Sequence, residues 1–267
     1  MYPFTYHRPA SLDDAKARLA ASGDGRPLAG GMSLLPTMRF RLASCADLVD
    51  LNGIEALAGI ERGDGYMRIG AMTRHVAVAE SPEVREAIPA LAALAGSIGD
   101  VQVRNRGTIG GSICFADPAA DYPAGLLGLG ATVNTDRRAI AADDFFTGLY
   151  ETALEEGEIV VSVDFLVPER AGWAKFGNQA SRFAIVAVMV SQTAGGAVRL
   201  AVTGAKTHVF RVAEMEQALV ANFSEEAIDG IAVSSEGLNE DLHADKDYRA
   251  HLIGVMAKRA VRDALAR

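Results

Sequence analysis

Cysteine is almost absent from this chain: Cys45 and Cys114 are the only two in 267 residues. An iron–sulfur centre takes a fuller set of thiolates, so any iron–sulfur chemistry must sit on another polypeptide. Histidine does not fill the gap. His7, His75, His208, His243 and His251 stand in none of the CxxC, HExxH or HxH spacings that mark metal sites. No residue is therefore assigned to a metal, and both cysteines read as small buried hydrophobes in a reducing compartment. Positive charge is also scarce, with 26 Lys+Arg against 34 Asp+Glu and a formal net charge of −8. Phosphate-backbone affinity needs clustered cations, which excludes a nucleic-acid binder as the default.

Long apolar runs are missing too. The longest, from Phe183 to Val190, is far short of the about 20 residues a helix needs to cross a bilayer. The N-terminus lacks the basic-then-apolar order of a secretory signal and carries Asp13 and Asp14, so a cytoplasmic location is expected. With 49% apolar and 22% charged residues the chain is nonetheless ordinary for a folded protein.

Glycine is plentiful, at 27 residues, and many fall in two places: Leu28-Ala29-Gly30-Gly31-Met32-Ser33-Leu34-Leu35-Pro36 and Arg106-Gly107-Thr108-Ile109-Gly110-Gly111-Ser112. Around them, Asp47 to Leu51 and Tyr66 to Ala71 read as strands, and Pro82 to Ala95 and Pro118 to Leu129 as helices. After Pro168 the texture changes. Trp173 to Phe176, Phe183 to Gln192 and Val198 to Thr203 alternate as strands, the last two joined through Thr193-Ala194-Gly195-Gly196 as a hairpin. The tail predicts helices over Arg211 to Ala221, Glu225 to Ile231 and Lys246 to Ala266. A domain boundary is expected near 168–172.

In the first glycine cluster, Ser33 is a suitable N-cap for a helix starting at Leu34, with Pro36 in its first turn. Glycines without Cβ atoms let main-chain N–H groups approach an anion closely, and a helix end adds partial positive charge. One such turn alone reads as a tight strand-to-helix connection with nothing bound. The second cluster repeats the chemistry about 80 residues on, and two facing cradles suit a dinucleotide diphosphate. Neither follows G-x-G-x-x-G or the P-loop pattern, so NAD is disfavoured as primary ligand. Further on, Asp117 is a natural N-cap with Pro118 at the first helical position, and Asp121, one turn later, could accept from sugar hydroxyls.

These two clusters, with Gln102-Val103-Arg104-Asn105 leading into the second and Ala116-Asp117-Pro118-Ala119-Ala120-Asp121-Tyr122-Pro123 after it, resemble the FAD-binding medium subunit of the molybdenum hydroxylases. That family includes carbon monoxide dehydrogenase and xanthine dehydrogenase-type enzymes. Phe4-Thr5-Tyr6-His7-Arg8-Pro9, Phe145-Phe146-Thr147-Gly148-Leu149-Tyr150 to Glu158-Ile159, and Tyr248-Arg249-Ala250-His251-Leu252 extend the likeness over nearly the whole chain. The resemblance implies an α+β protein with a vanillyl-alcohol-oxidase-type FAD-binding fold. Two α/β subdomains, at 1–55 and 56–168, would precede a C-terminal domain of antiparallel sheet and helices at 169–267. It implies that Ala29, Gly30, Gly31, Met32 and Ser33, flanked by Leu28, Leu34 and Leu35, hold the diphosphate together with Thr108, Ile109, Gly110, Gly111 and Ser112. Asp121 would take a hydroxyl of the flavin nucleotide, Val160 would make a further contact, and Lys175 would approach the flavin.

The same resemblance implies an oxidoreductase subunit with no catalytic residue of its own. Partner chains would be a [2Fe–2S] small subunit and a molybdopterin large subunit, in a dimer of heterotrimers, with an external electron acceptor. Two rivals stand beside it: a stand-alone FAD-dependent oxidase or reductase on the same fold, and a non-catalytic interaction protein whose glycine turns are merely turns. Phe115 stands where many members carry His, Arg182 where many carry Asp, and Gly177-Asn178 replaces a basic pair. These departures bear on the exposed edge of the flavin.

Overall fold

Short strands separated by glycine and proline punctuation assemble into separate sheets in the computed structural model, which describes residues 1–267. The first unit comprises β1 (Thr5–His7), α1 (Leu12–Ala21), β2 (Gly25–Leu28), α2 (Leu34–Arg39) and β3 (Asp47–Asp50). Its strands lie in the order β1-β3-β2 and pair in parallel. The Ser11 hydroxyl accepts the Asp14 amide at the start of α1, and Asp13 and Asp14 favour that positive helix end.

The second sheet contains β4 (Ile60–Arg62), β5 (Tyr66–Gly70), β6 (Thr132–Thr135), β7 (Ala139–Ala141) and β10 (Val160–Leu166), in the order β4-β5-β10-β6-β7 and antiparallel throughout. Between β5 and β6 run α3 (His75–Glu80), α4 (Pro82–Ala87), α5 (Pro89–Gly96), α6 (Val101–Arg106), α7 (Ile109–Phe115) and α8 (Tyr122–Leu129). After β7 come α9 (Ala142–Phe145) and a two-stranded ribbon, β8 (Phe146–Gly148) with β9 (Glu151–Thr152). The third sheet is β11 (Arg170–Gly177), β12 (Ala184–Gln192), β13 (Val198–Thr203) and β14 (Phe210–Arg211), antiparallel in chain order. The helices α10 (Ala213–Ala221) and α11 (Lys246–Ala266) follow it.

Two large apolar clusters bracket this third sheet. Alternation in β12 sends Ala187 and Met189 into the cluster shared with α5, α8 and β10, and Val186, Val188 and Val190 toward α10 and α11. The third sheet is thus wedged between the helices of the second unit and the C-terminal helices, and the core runs unbroken across 168–172. No helix is long and apolar enough to cross a membrane.

Several helix limits differ from the sequence expectation. The helix expected over Pro82 to Ala95 is two, because Ile88, preceding Pro89, takes φ −141°, ψ 68° and leaves the helical region. The helix expected from Pro118 starts only at Tyr122. The Asp117 carboxylate accepts the Ala119 amide at 2.8 Å, closing a turn rather than capping a helix. Arg211 belongs to β14, and Glu225 to Ile231 contributes only a 3-10 turn over Glu226–Ile228.

Candidate functional site

A cleft of about 420 Å³ opens where the loop after β2 meets the start of α7, with residues of β10, the α7–α8 connection and the β11–β12 turn completing its wall. Ala29, Gly30, Gly31, Met32, Ser33 and Leu34 line it from the first loop; Thr108, Gly110, Gly111 and Ser112 line it from the second; Asp121 and Val160 lie further along. Leu28, Leu35, Ile109 and Lys175 do not line it. Leu28 is buried with Met38, Cys45 and Leu48, and Ile109 is fully buried in the large cluster. Leu35 packs beneath Gly31, where an added Cβ would come within 2.8 Å of it. These apolar residues form the floor on which the two loops rest.

The loops approach through their glycines. A Cβ on Gly30 would collide with the Arg106 carbonyl and come within 2.7 Å of Gly107 Cα. One on Gly111 would fall 2.9 Å from Thr108 Oγ1 and 3.3 Å from Ala29 Cβ. Gly31 is left-handed, at φ 75°, whereas Gly110 is not. Gly110 is glycine because α7 presses on Ala71, just after β5, whose Cβ is 2.6 Å from where a Gly110 Cβ would stand.

The two loops differ in their hydrogen bonding. In the first, the amides of Gly31, Met32, Ser33 and Leu34 have no protein acceptor. Ser33 occupies the N-cap position of α2 but makes no capping bond, at φ −108°, ψ −51°. The third helical residue is Pro36, which has no N–H to offer it. In the second, the glycines fall inside the first turn of α7 rather than before it, and Thr108 is the cap. The Gly110 amide is taken by Ala71 O at 2.8 Å, and that of Gly111 by Thr108 Oγ1 at 3.1 Å. The Ile109 and Ser112 amides are also taken, by Thr73 O and Thr108 O. Unclaimed donors are therefore concentrated in the first loop, and the second supplies close approach, the Thr108 amide and hydroxyl side chains. With only six residues in α2, these amides outweigh any helix dipole as an attraction for an anion.

A clasp that sequence reasoning missed joins the loops from behind. The Asn52 side-chain amide donates to Ala29 O at 2.8 Å, and its oxygen accepts from Arg74. Arg74 also donates to the Arg106 carbonyl just before the second loop. The Asp50 carboxylate, buried at the end of β3, accepts from the Asn52 amide at 3.0 Å and from the Tyr6 hydroxyl. Burial first, then the neighbouring Arg106, lower the Arg74 pKa, and the Asp50 carboxylate opposes them.

Further along, Asp121 is 4% exposed, and burial, opposed by Lys175, raises its carboxyl to about 6. Its Oδ2 sits 2.6 Å from Lys175 Nζ, while its Oδ1 is buried without a partner. Such an orphan acceptor in a cleft wall is where a ligand hydroxyl belongs. Val160, the first residue of β10, follows the buried Glu158. Glu158 holds Arg138 at 3.0 Å and accepts from Thr135 Oγ1 and the Glu155 amide, which pushes its pKa down to about 2, Arg138 being the main cause.

His75 also lines the cleft, its ring packed against Gly107. Burial first, then Arg74 and Arg104, lower its pKa to about 4, so it is neutral at pH 7. Phe115 and Arg182 both border the cleft: Phe115 meets Tyr150 edge-on at 5.4 Å, and Arg182, at φ 62°, donates to Gly99 O at 3.3 Å. Cys114, expected to be buried, is exposed, because this turn of α7 faces the cleft. The unclaimed amides, the loop glycines and the orphan oxygen of Asp121 fit a dinucleotide with a diphosphate at its centre.

Comparison with known proteins agrees with this geometry. Residues 2–169 match the family model described as "FAD binding domain in molybdopterin dehydrogenase". The chain is 38% identical to the carbon monoxide dehydrogenase medium chain of Hydrogenophaga pseudoflava, covering 99% of this chain and 98% of that one. It is 34% identical to the nicotine 6-hydroxylase medium subunit of Paenarthrobacter nicotinovorans, over 98% and 97%. Among solved structures, reconstituted CO dehydrogenase from Oligotropha carboxidovorans superposes with a TM-score of 0.93 at 34% identity, covering 100% of both chains.

Proposed function

Because this chain belongs to the family of FAD-binding domains in molybdopterin dehydrogenases, we propose that it is the electron-transferring FAD subunit of a molybdenum-containing hydroxylase or dehydrogenase. The observation that carries the reading is the cleft between the two glycine loops, with unclaimed amides at Gly31 to Leu34 and an orphan acceptor at Asp121. The first loop would hold the diphosphate by its main-chain N–H groups, the second would close over it with Thr108, Gly111 and Ser112, and Asp121 would accept a hydroxyl. Val160 would make an apolar contact in the same cleft. Bound FAD supplies the means of taking electrons singly and delivering them in pairs.

In this reading the chain assembles with a [2Fe–2S] small subunit and a molybdopterin large subunit as a dimer of heterotrimers in the cytoplasm, and an external acceptor removes the electrons. Medium subunits of a carbon monoxide dehydrogenase and of a nicotine hydroxylase resemble this chain to similar degrees, which supports a substrate pocket on another polypeptide. Phe115 and Arg182, at the border of the cleft, are assigned to the edge that meets the acceptor.

Purification from the native source tests the assembly. Co-purification of larger chains carrying molybdenum and iron is the expected result; a chain that runs alone and turns over an organic substrate unaided would overturn it in favour of a stand-alone flavoenzyme.

A further inference from the structure

We infer that Arg249, near the start of α11, is a positioning residue for the cofactor cleft: it holds the foot of the β11–β12 turn, and through it the stretch of wall from Ser181 to Phe183. This role rests on the FAD reading above, and it employs the pair Tyr248-Arg249, which the proposed function leaves unused. Arg249 is 3% exposed. Its Nη1 donates to Ile185 O at 2.7 Å and to Gly204 O at 3.0 Å, and its Nη2 donates to Asp241 Oδ2 at 2.7 Å. The fixed fork of a guanidinium spans all three acceptors, where a lysine ammonium would be a point charge, and a buried cation needs such partners.

Ile185 has need of the donor. The β11–β12 ladder pairs Phe176 with Val186 and Gly177 with Ala184, which leaves Ile185 as the extra residue of a β-bulge. The β12–β13 ladder begins only at Ala187, so neither neighbouring strand pairs with Ile185. Gly204, just after β13, is left-handed at φ 86°, and a Cβ there would stand 2.7 Å from the Ala184 and Ile185 carbonyl oxygens. Arg249 thus closes a corner where the ends of two strands converge. Beside it, Tyr248 meets Phe176, on the other foot of the turn, edge-on at 6.2 Å.

From these feet the turn reaches the cleft, where Ser181, Arg182 and Phe183 stand in the wall. The turn keeps its own shape, with the Asn178 amide on Phe183 O and the Arg182 amide on Asn178 O, both at 2.8 Å. The same corner grips the segment ahead of α8. The amides of Ala184 and Gly204 donate to Ala119 O and Pro118 O, and Thr203 Oγ1 donates to Ala120 O at 2.7 Å. Asp117 and Ala120 line the cleft on that side. One buried guanidinium on the last helix therefore steadies two stretches of the cleft wall by holding the corner from which both are hung.

The test compares the full flavin-free chain as wild type, Arg249→Met, Arg249→Lys and a control, Glu216→Gln. Glu216 accepts the Leu200 amide and pairs with Arg211, so its loss weakens the third sheet away from the turn. In Arg249→Met, amide exchange read by mass spectrometry is expected to speed up about tenfold or more over 177–185 and 117–121, while 186–192 stays as protected as in the wild type. Fluorescence titration is expected to show FAD held about tenfold more weakly by Arg249→Met, and Arg249→Lys is expected to fall between it and the wild type. Glu216→Gln is expected to lower the urea midpoint yet leave FAD affinity and exchange at the turn unchanged. Exchange that rises evenly over the chain in Arg249→Met or stays unchanged at the turn would overturn the inference. So would local loosening with undiminished FAD affinity, or an equal loss of FAD affinity in Glu216→Gln. A wild-type chain that binds no FAD would instead overturn the FAD reading, a result on which the exchange pattern does not depend. Should Arg249→Met fail to fold, Arg249→Lys, which keeps a cation beside Asp241, carries the same comparison.

Discussion

At Gly111 the close approach of the two loops depends on a hydrogen atom standing where other residues carry a Cβ. A side chain there wedges between Thr108 Oγ1 and Ala29 Cβ and forces the two loops apart. Gly111→Val should weaken FAD by about tenfold to a hundredfold, the affinity equivalent of about 1–3 kcal/mol of overpacking, while far-ultraviolet circular dichroism stays native. Asp121 adds a pH signature with two opposite signs. Its folded pKa, about 6, lies above the ordinary value of 3.8 because of burial, with Lys175 opposing. Its contribution to the stability of the flavin-free fold is complete below pH 3.8 and is lost as pH rises through about 6. FAD affinity should instead fall as pH drops through about 6, since the ionised oxygen is the acceptor. The charged and polar groups nearest this carboxyl are Lys175 on β11 and Tyr122 on α8, with the neutral His75 beside Tyr122. Titrating FAD across this range should give a dependence in the wild type that Asp121→Asn lacks; the same dependence in both would assign it elsewhere.

Elements position these residues, and here the sequence was legible only in part. The glycine loops could be read because a missing Cβ is a local requirement, written where it acts. The different bonding of the two loops could not, because it depends on Ala71, the residue after β5, giving its carbonyl to one loop and nothing to the other. Ser33 looked like a cap, yet Pro36 three residues on, readable in the sequence, denied it a donor. Ile88-Pro89 likewise carried the signal that split the expected helix into α4 and α5. The clasp of Asn52 and Arg74 left no local pattern, since its partners Ala29 and Arg106 are brought together by tertiary packing. Asn52→Ala should loosen the loops and weaken FAD by about tenfold, the scale of a lost hydrogen bond to a charged group, with faster amide exchange confined to the first loop. Ahead of β10, Glu158 performs a similar service for Val160. Held by Arg138, its pKa falls from 4.5 to about 2, so its contribution is present above pH 4.5 and lost as pH falls toward 2. Glu158→Gln should cost about 1–3 kcal/mol at pH 7 in urea unfolding and should shrink the difference from wild type on acidification.

Across the whole molecule, the third sheet is more than an appended domain. It shares its core with the helices behind the cleft and sends Lys175 to the base of Asp121. Its β11–β12 turn brings Arg182 and Phe183 to the cleft border. The chain thus gathers one cleft from three sheets, and in the proposed reading the first glycine loop supplies the donors for the diphosphate. The direct measurement of that claim is a comparison of FAD with riboflavin, which lacks the phosphates, by fluorescence titration of the flavin-free chain. Saturable binding of FAD with riboflavin weaker by orders of magnitude is the predicted result. Equal affinity for the two flavins, or no binding of FAD at all, would contradict the account.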